Sequence, residues 1–123
     1  LKTKSMNKVL RKIIVAGSRS FNDYARMKEV LSEIVSPNCE IVSGGARGAD
    51  ALAKKYALEY TVPYKEFPAD WSTHSKSAGA IRNKQMADYG DMLISFWDGE
   101  SKGSKNMIEN MKKLNKHIIV VKI

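Results

Sequence analysis

From Lys12 onward, short unbroken apolar runs alternate with longer stretches in which apolar residues recur every three or four positions. Runs of the first kind are the signature of strands buried on both faces, and the second kind marks amphipathic helices. The strands predicted are Lys12–Ala16, Cys39–Ser43, Tyr64–Phe67, Asp91–Trp97 and His117–Ile123. Between them, Met27, Val30, Leu31, Ile34 and Val35 follow Asp23 at helical spacing, and Ser36-Pro37-Asn38 stops that helix. A second helix runs from Ala49 to Tyr60 with Leu52, Ala53, Tyr56, Ala57 and Tyr60 on one face. Pro68 to Ser77 reads as a polar loop, Ala78–Tyr89 as a helix with Ile81, Met86 and Ala87 inward, and Gly90 as its stop. The last helix starts at Ser104 as N-cap and carries Met107, Ile108, Met111 and Leu114. Strict alternation of strand and helix predicts an α/β fold of three layers, a doubly wound, mainly parallel five-stranded sheet with helices on both faces. Residues 1–11 show no periodicity and are expected to form a flexible tail, leaving 12–123 as one domain.

The chain is organised around Glu40-Ile-Val-Ser-Gly-Gly-Ala-Arg-Gly-Ala-Asp50, where a strand pattern meets paired glycines and enters a helix. Gly44, Gly45 and Gly48 leave room for a ligand to lie against backbone N–H groups at the positive end of the helix, a natural place for an anion. Arg47 adds a planar, permanent charge, and Asp50 either caps the helix or accepts a ribose hydroxyl. In a doubly wound sheet, ligands bind outside the carboxyl ends of the strands. Four loops converge there: Gly17-Ser-Arg-Ser-Phe21, Gly44 to Asp50, Pro68 to Trp71, and Asp98 to Ser104. Ser18, Ser43 and Ser104 offer hydroxyls, and Arg19, Arg47 and Arg82 offer charge-assisted, bidentate bonds to phosphate. Phe21 and Trp71 are candidates for stacking on a base, Asp50 and Asp70 for reading ribose, while Trp97 belongs to a strand end and is expected to pack.

Composition adds limits. A length of 123 residues suits one core, and no apolar run reaches the roughly 20 residues of a membrane span, so a cytoplasmic protein without membrane contact is expected. The single cysteine, Cys39, rules out an internal disulfide and reads as a buried hydrophobe. The net charge of +8 invites a nucleic-acid reading, but the lysines are spread over both termini and form no uninterrupted tract, which ranks nucleic acid behind a small molecule. His74 and His117 stand apart, so neither a metal site nor a triad is suggested, and no cofactor is expected. Neither Gly-x-x-x-x-Gly-Lys-Ser/Thr nor Gly-x-Gly-x-x-Gly occurs, which disfavours P-loop hydrolysis and conventional dinucleotide binding.

Five stretches together resemble one family. They are Val15-Ala-Gly-Ser-Arg-Ser-Phe21, Ser43-Gly-Gly-Ala-Arg-Gly-Ala-Asp50, Pro68-Ala-Asp-Trp71, Ala78-Gly-Ala-Ile-Arg-Asn83 with Met86, and Trp97-Asp-Gly with Ser101-Lys-Gly-Ser104. Their order and spacing resemble the YspA-like, cpYpsA-related branch of the SLOG superfamily, over nearly the whole chain from Lys12. The resemblance implies a Rossmann-like fold and distant relation to the LOG phosphoribohydrolases, the DNA-processing protein DprA and sensors of nucleotide-derived signals. It implies a ligand site built from Gly17, Ser18, Arg19, Phe21, Ser43, Gly44, Gly45, Arg47, Gly48, Asp50, Asp70, Trp71, Arg82, Asn83, Asp98, Gly103 and Ser104. LOG-type enzymes carry Arg-Lys-x-x-Met on one helix and a Pro-Gly-Gly-x-Gly-Thr-x-x-Glu loop whose Glu serves cleavage of the N-glycosidic bond. Here the helix reads Arg82-Asn-Lys-Gln-Met86, and Met107 stands at the Glu position, where it can neither steady an oxocarbenium ion nor move a proton. Arg82 is the one catalytic candidate, with Asp98, Glu100 and Glu109 open as substitutes for the missing acid.

The expected function is therefore binding of a nucleotide or nucleotide-derived ligand, as in a sensor. Nucleoside-monophosphate phosphoribohydrolase activity and single-stranded nucleic-acid binding are the alternatives. Homo-oligomerisation is expected as well, because Met107 and Met111 together with the apolar second helix offer more hydrophobic surface than one sheet face needs.

Overall fold

The computed structural model describes residues 10–123. The expected tail over residues 1–11 lies outside the described residues through position 9, and Arg11 opens the first strand. The strands are β1 (Arg11–Gly17), β2 (Cys39–Ser43), β3 (Tyr64–Glu66), β4 (Met92–Trp97) and β5 (His117–Lys122). They form one all-parallel sheet in the order β3-β2-β1-β4-β5. The helices are α1 (Tyr24–Ile34), α2 (Ala49–Glu59), α3 (Trp71–His74), α4 (Ala78–Tyr89) and α5 (Lys102–Lys113), with a 3-10 turn over Ser75–Ser77.

Alternation along β1 divides the core. Ile13 and Val15 face the layer of α1 and α2, where Met27, Leu31, Ala53 and Tyr56 cover them. Ile14 and Ala16 face the opposite layer, built from Met86 and Ala87 of α4 and Met107, Ile108 and Met111 of α5. Being buried on both sides is what makes these strands read as continuous apolar runs. Met107 and Met111, the surplus apolar surface from which self-association was expected, are fully enclosed in the chain's own core. Tyr60 ends the face of α2 outside the core, half-exposed, with its ring 4.6 Å from that of Tyr56.

Two boundaries differ from the sequence reading, for local reasons. The polar stretch after Pro68 is helical: Asp70 accepts the Thr73 N–H at 3.1 Å and the Ser72 hydroxyl at 2.9 Å, which starts α3. In the last crossover the helix begins two residues before Ser104, so Ser104 sits inside its first turn and is buried, with Ser101 at the capping position. The Asp98 carboxylate gathers the N–H groups of Glu100 and Ser101 and the Ser101 hydroxyl, and this Asx-type turn delivers the chain into α5 early.

One anchor has no sequence signal. Lys116 Nζ donates to the carbonyls of Ala87, Asp88 and Gly90 at 2.6, 3.1 and 2.7 Å, placing a cation on the unpaired carbonyl end of α4. Lys116→Met should therefore lower stability by about 1.5–3 kcal/mol, as for loss of hydrogen bonds to a charged group. In denaturant melts, the exposed Lys84→Met should leave the midpoint unchanged; equal midpoints for the two variants would show that Lys116 anchors nothing.

Candidate functional site

Strand order reverses between β1 and β4, and the glycine loops after β1 and β2 meet on the carboxyl side of that point. Gly48, with φ of 74°, lies directly on the first loop: a Cβ there would stand 2.3 Å from the Ser18 carbonyl oxygen and 2.5 Å from that of Arg19. That carbonyl of Ser18 accepts the N–H of Ala49, the first residue of α2, at 3.2 Å. The Ser18 hydroxyl is buried, receives the Asp98 N–H at 3.2 Å and lies 3.0 Å from the Ser101 hydroxyl. Ser18 thus ties the loops after β1 and β4 to the start of α2. Ser43, also buried, donates to the Asp50 carbonyl and receives the Gly45 N–H, holding the turn of the second loop.

Over this platform lie two cavities that share the wall formed by Arg19, Ala46, Trp71 and Arg82. The smaller, about 360 Å³, is lined by Gly44, Gly45, Arg47 and Glu66 besides that wall. The larger, about 520 Å³, adds Gly17, Asp50, Asn83, Gly103, Ser104 and an apolar floor of Ala16, Met86 and Met107. Three arginines from three elements therefore surround one cavity: Arg19 after β1, Arg47 after β2 and Arg82 on α4. Among the described residues, none of the three has a carboxylate oxygen within 4 Å; the ion pairs there are Arg26 with Glu29 and Lys54 with Glu66.

Arg82 is held by hydrogen bonds instead. Its Nη1 donates to the Gly44 carbonyl at 2.7 Å and its Nε to Asn83 Oδ1 at 3.1 Å. Gly44 allows this approach, since a Cβ would lie 2.3 Å from Arg82 Nη1 and 2.9 Å from Asp50 Oδ2. Burial lowers the Arg82 pKa, with the Asp50 charge acting in the opposite sense. Asp50 does not cap α2. It lies in the first turn, 6% exposed, and accepts the Ala46 N–H at 3.2 Å. Burial raises its pKa, against the pull of the Ala46 N–H and of Arg82.

Other expected site residues have structural places. Phe21 lines neither cavity: it is buried, its ring 5.0 Å from Phe96 and nearly parallel to it, because the first loop folds inward once Phe21 N–H bonds the Ser18 carbonyl. Asp70 and Asp98 cap local turns and line neither cavity. Trp97 is half-buried and donates from Nε1 to the Ser101 carbonyl, as a packing residue should. Glu100 and Glu109, offered with Asp98 as replacement acids, also line neither cavity, and among the described residues Asp50 is the one carboxyl group in the wall of the larger. Met107, at the LOG-type Glu position, is in its floor. The sequence reading passed over Asn106, whose signal was its spacing from Gly103, Met107 and Asn110 on one helix face.

A parallel sheet with a reversal of strand order and a glycine turn leading into a helix defines a Rossmann-like domain. The chain belongs to the YspA, cpYpsA-related SLOG family, which it matches over residues 11–74. It is 32% identical to the Gene 61 protein of Mycobacterium phage D29 over 113 residues, covering 85% of this chain and 90% of that protein. Its fold is similar to DNA processing protein A of Streptococcus pneumoniae, with a TM-score of 0.75 at 18% identity over 92% of this chain, which spans half of that protein's length. The protein of the same name from Helicobacter pylori, described for its single-stranded DNA binding mode, gives a TM-score of 0.71 at 22% identity, over 96% of this chain and 67% of that one. Among the described residues no helix is long and apolar enough to cross a membrane.

Replacing Gly48 by Ala should destabilise the fold by about 1–3 kcal/mol or more, since strain at positive φ is joined by a clash with fixed backbone. A thermal melt matching the parent protein would contradict the loop-on-loop contact.

The two acids titrate with opposite signs. Asp98 is held down at about 2 by the Ser101 and Glu100 N–H groups, so its contribution is present above the ordinary carboxylate range and lost as pH falls through about 2. Asp50 is raised, so its contribution is present below the ordinary range and lost as pH rises through its folded value. Denaturation series across pH should show Asp98→Asn flattening the acid limb and Asp50→Asn removing a loss of stability on the rising side. The reverse assignment would refute both environments.

Proposed function

We propose that the paired cavities bind a nucleotide-type ligand, its phosphate among Arg19, Arg47 and Arg82 and its heterocycle over the apolar floor of the larger cavity. The observation that carries this reading is the convergence of three arginines without carboxylate partners among the described residues on one glycine-lined cavity. Guanidinium groups without a carboxylate at salt-bridge distance are stabilised by an anion, which Arg19 and Arg47 can grip bidentately and Arg82 can reach through Nη2, its Nε and Nη1 being engaged by Asn83 and Gly44. Trp71, 53% exposed on the shared wall, has an open ring face for stacking. Asp50 supplies an acceptor for ribose hydroxyls beside the same wall.

Mononucleotides added to the protein should quench Trp71 fluorescence saturably. Arg47→Ala or Arg82→Ala should weaken binding about ten- to a hundredfold, the loss of a charge-assisted contact, while Lys112→Ala should not. Saturable quenching that survives both arginine changes would move the phosphate elsewhere.

A second reading, single-stranded nucleic acid, is favoured by the net charge of +8 and by the fold shared with the Helicobacter pylori protein. It requires that an oligonucleotide bind well above a mononucleotide, with affinity falling steeply as salt rises. Equal affinity for both at low salt would restrict the site to the small ligand.

A further inference from the structure

A chain of amides runs from the arginine wall into the larger cavity, and its polarity is set by the Arg82 Nε, which can only donate, and the Gly103 carbonyl, which can only accept. Arg82 Nε can only donate, so the Asn83 atom 3.1 Å away is Oδ1. Asn83 Nδ2 then points the other way and donates to the Gly103 carbonyl at 3.2 Å and to Asn106 Oδ1 at 3.1 Å. Asn110 Nδ2 donates to the same Asn106 oxygen at 3.3 Å. Asn83 is 7% exposed, so leaving either end unpaired would be costly and the orientation is firmly set. With Oδ1 receiving two donors, Asn106 has its Nδ2 without a partner among the described residues, and Asn106 lines the larger cavity beside Met107 and Gly103.

We infer that Asn106 is a specificity-determining residue whose Nδ2 donates to an acceptor on the heterocycle, so that the site prefers a 6-oxo purine or 4-oxo pyrimidine over its amino counterpart. This rests on the nucleotide reading above and names the edge that the site recognises. An amino group facing Nδ2 would set donor against donor and leave both unpaired in a partly desolvated cavity. Arg82, set against the phosphate in that reading, is thus hydrogen-bonded to the amide chain that orients base recognition.

The test compares inosine with adenosine 5′-monophosphate, and uridine with cytidine 5′-monophosphate, by calorimetry. The parent protein should bind the oxo member of each pair about tenfold or more tightly, one good hydrogen bond exchanged for a mismatch. Asn106→Asp keeps an oxygen for Asn83 and Asn110 but makes the free end an acceptor, so the preference should reverse. Asn106→Ala should bring the ratio near one, and Arg47→Ala should weaken all four ligands while leaving the ratio as in the parent. Binding that persists with the same ratio in Asn106→Asp and Asn106→Ala would overturn the role of Asn106 and leave the nucleotide reading intact. Failure of the parent to bind any of the four would overturn that reading itself, and this inference with it.

Discussion

The close approach of two backbones, Gly48 over Ser18 and Arg19, is the constraint on which the rest of this structure depends. It brings the loop after β2 onto the loop after β1, and the Ser18 carbonyl then fixes the start of α2 while the Ser18 hydroxyl fixes the loop after β4. Three strand ends are thereby tied at one point, where strand order reverses. A side chain at position 48 would hold these loops apart by the width of a methyl group, and the shared wall of the cavities would have no support.

Charge on that platform is arranged so that attraction is left over. Arg82 satisfies its donors on the Gly44 carbonyl and the Asn83 amide, which immobilises the guanidinium without neutralising it. Asp50 stands beyond salt-bridge distance of it, and burial raises the Asp50 pKa against the pull of the Ala46 N–H and of Arg82. Of the three guanidinium groups on that platform, the one on α4 is held in place before any anion arrives, while Arg19 and Arg47 stand exposed beside it. Met107, at the position of the LOG-type acid, contributes floor and packing to a cavity whose wall carries arginines, amides and an exposed indole.

Much of this was legible in the residues themselves. Buried parallel strands must be apolar on both faces, so β1, β2 and β4 announced themselves as continuous runs, and glycine turns between them marked the edge where a ligand would lie. Arg47 and Arg82, from separate elements, could be assigned to one edge because a doubly wound topology leaves few places for them. Less was legible where a side chain chooses between solvent and core. Phe21 and Trp71 are both aromatic residues in polar loops, yet Phe21 stacks on Phe96 inside the molecule and Trp71 stays exposed on the shared wall.

Sequence alone determined the fold class, the order of the five strands and the four long helices, and the loop edge that carries the candidate site, because each of these follows from periodicity and from the conformations open to glycine. Only the tertiary structure decided which polar groups are caps and which face the cavities. Asp98 and Ser101 spend their hydrogen bonds on one turn, Asp70 starts a helix, Lys116 closes another across 29 residues of chain, and Asn106 reaches the cavity wall. The physical reason is that a polar side chain finds its partner among groups distant in sequence, and those groups meet only when the sheet and its two helix layers are assembled.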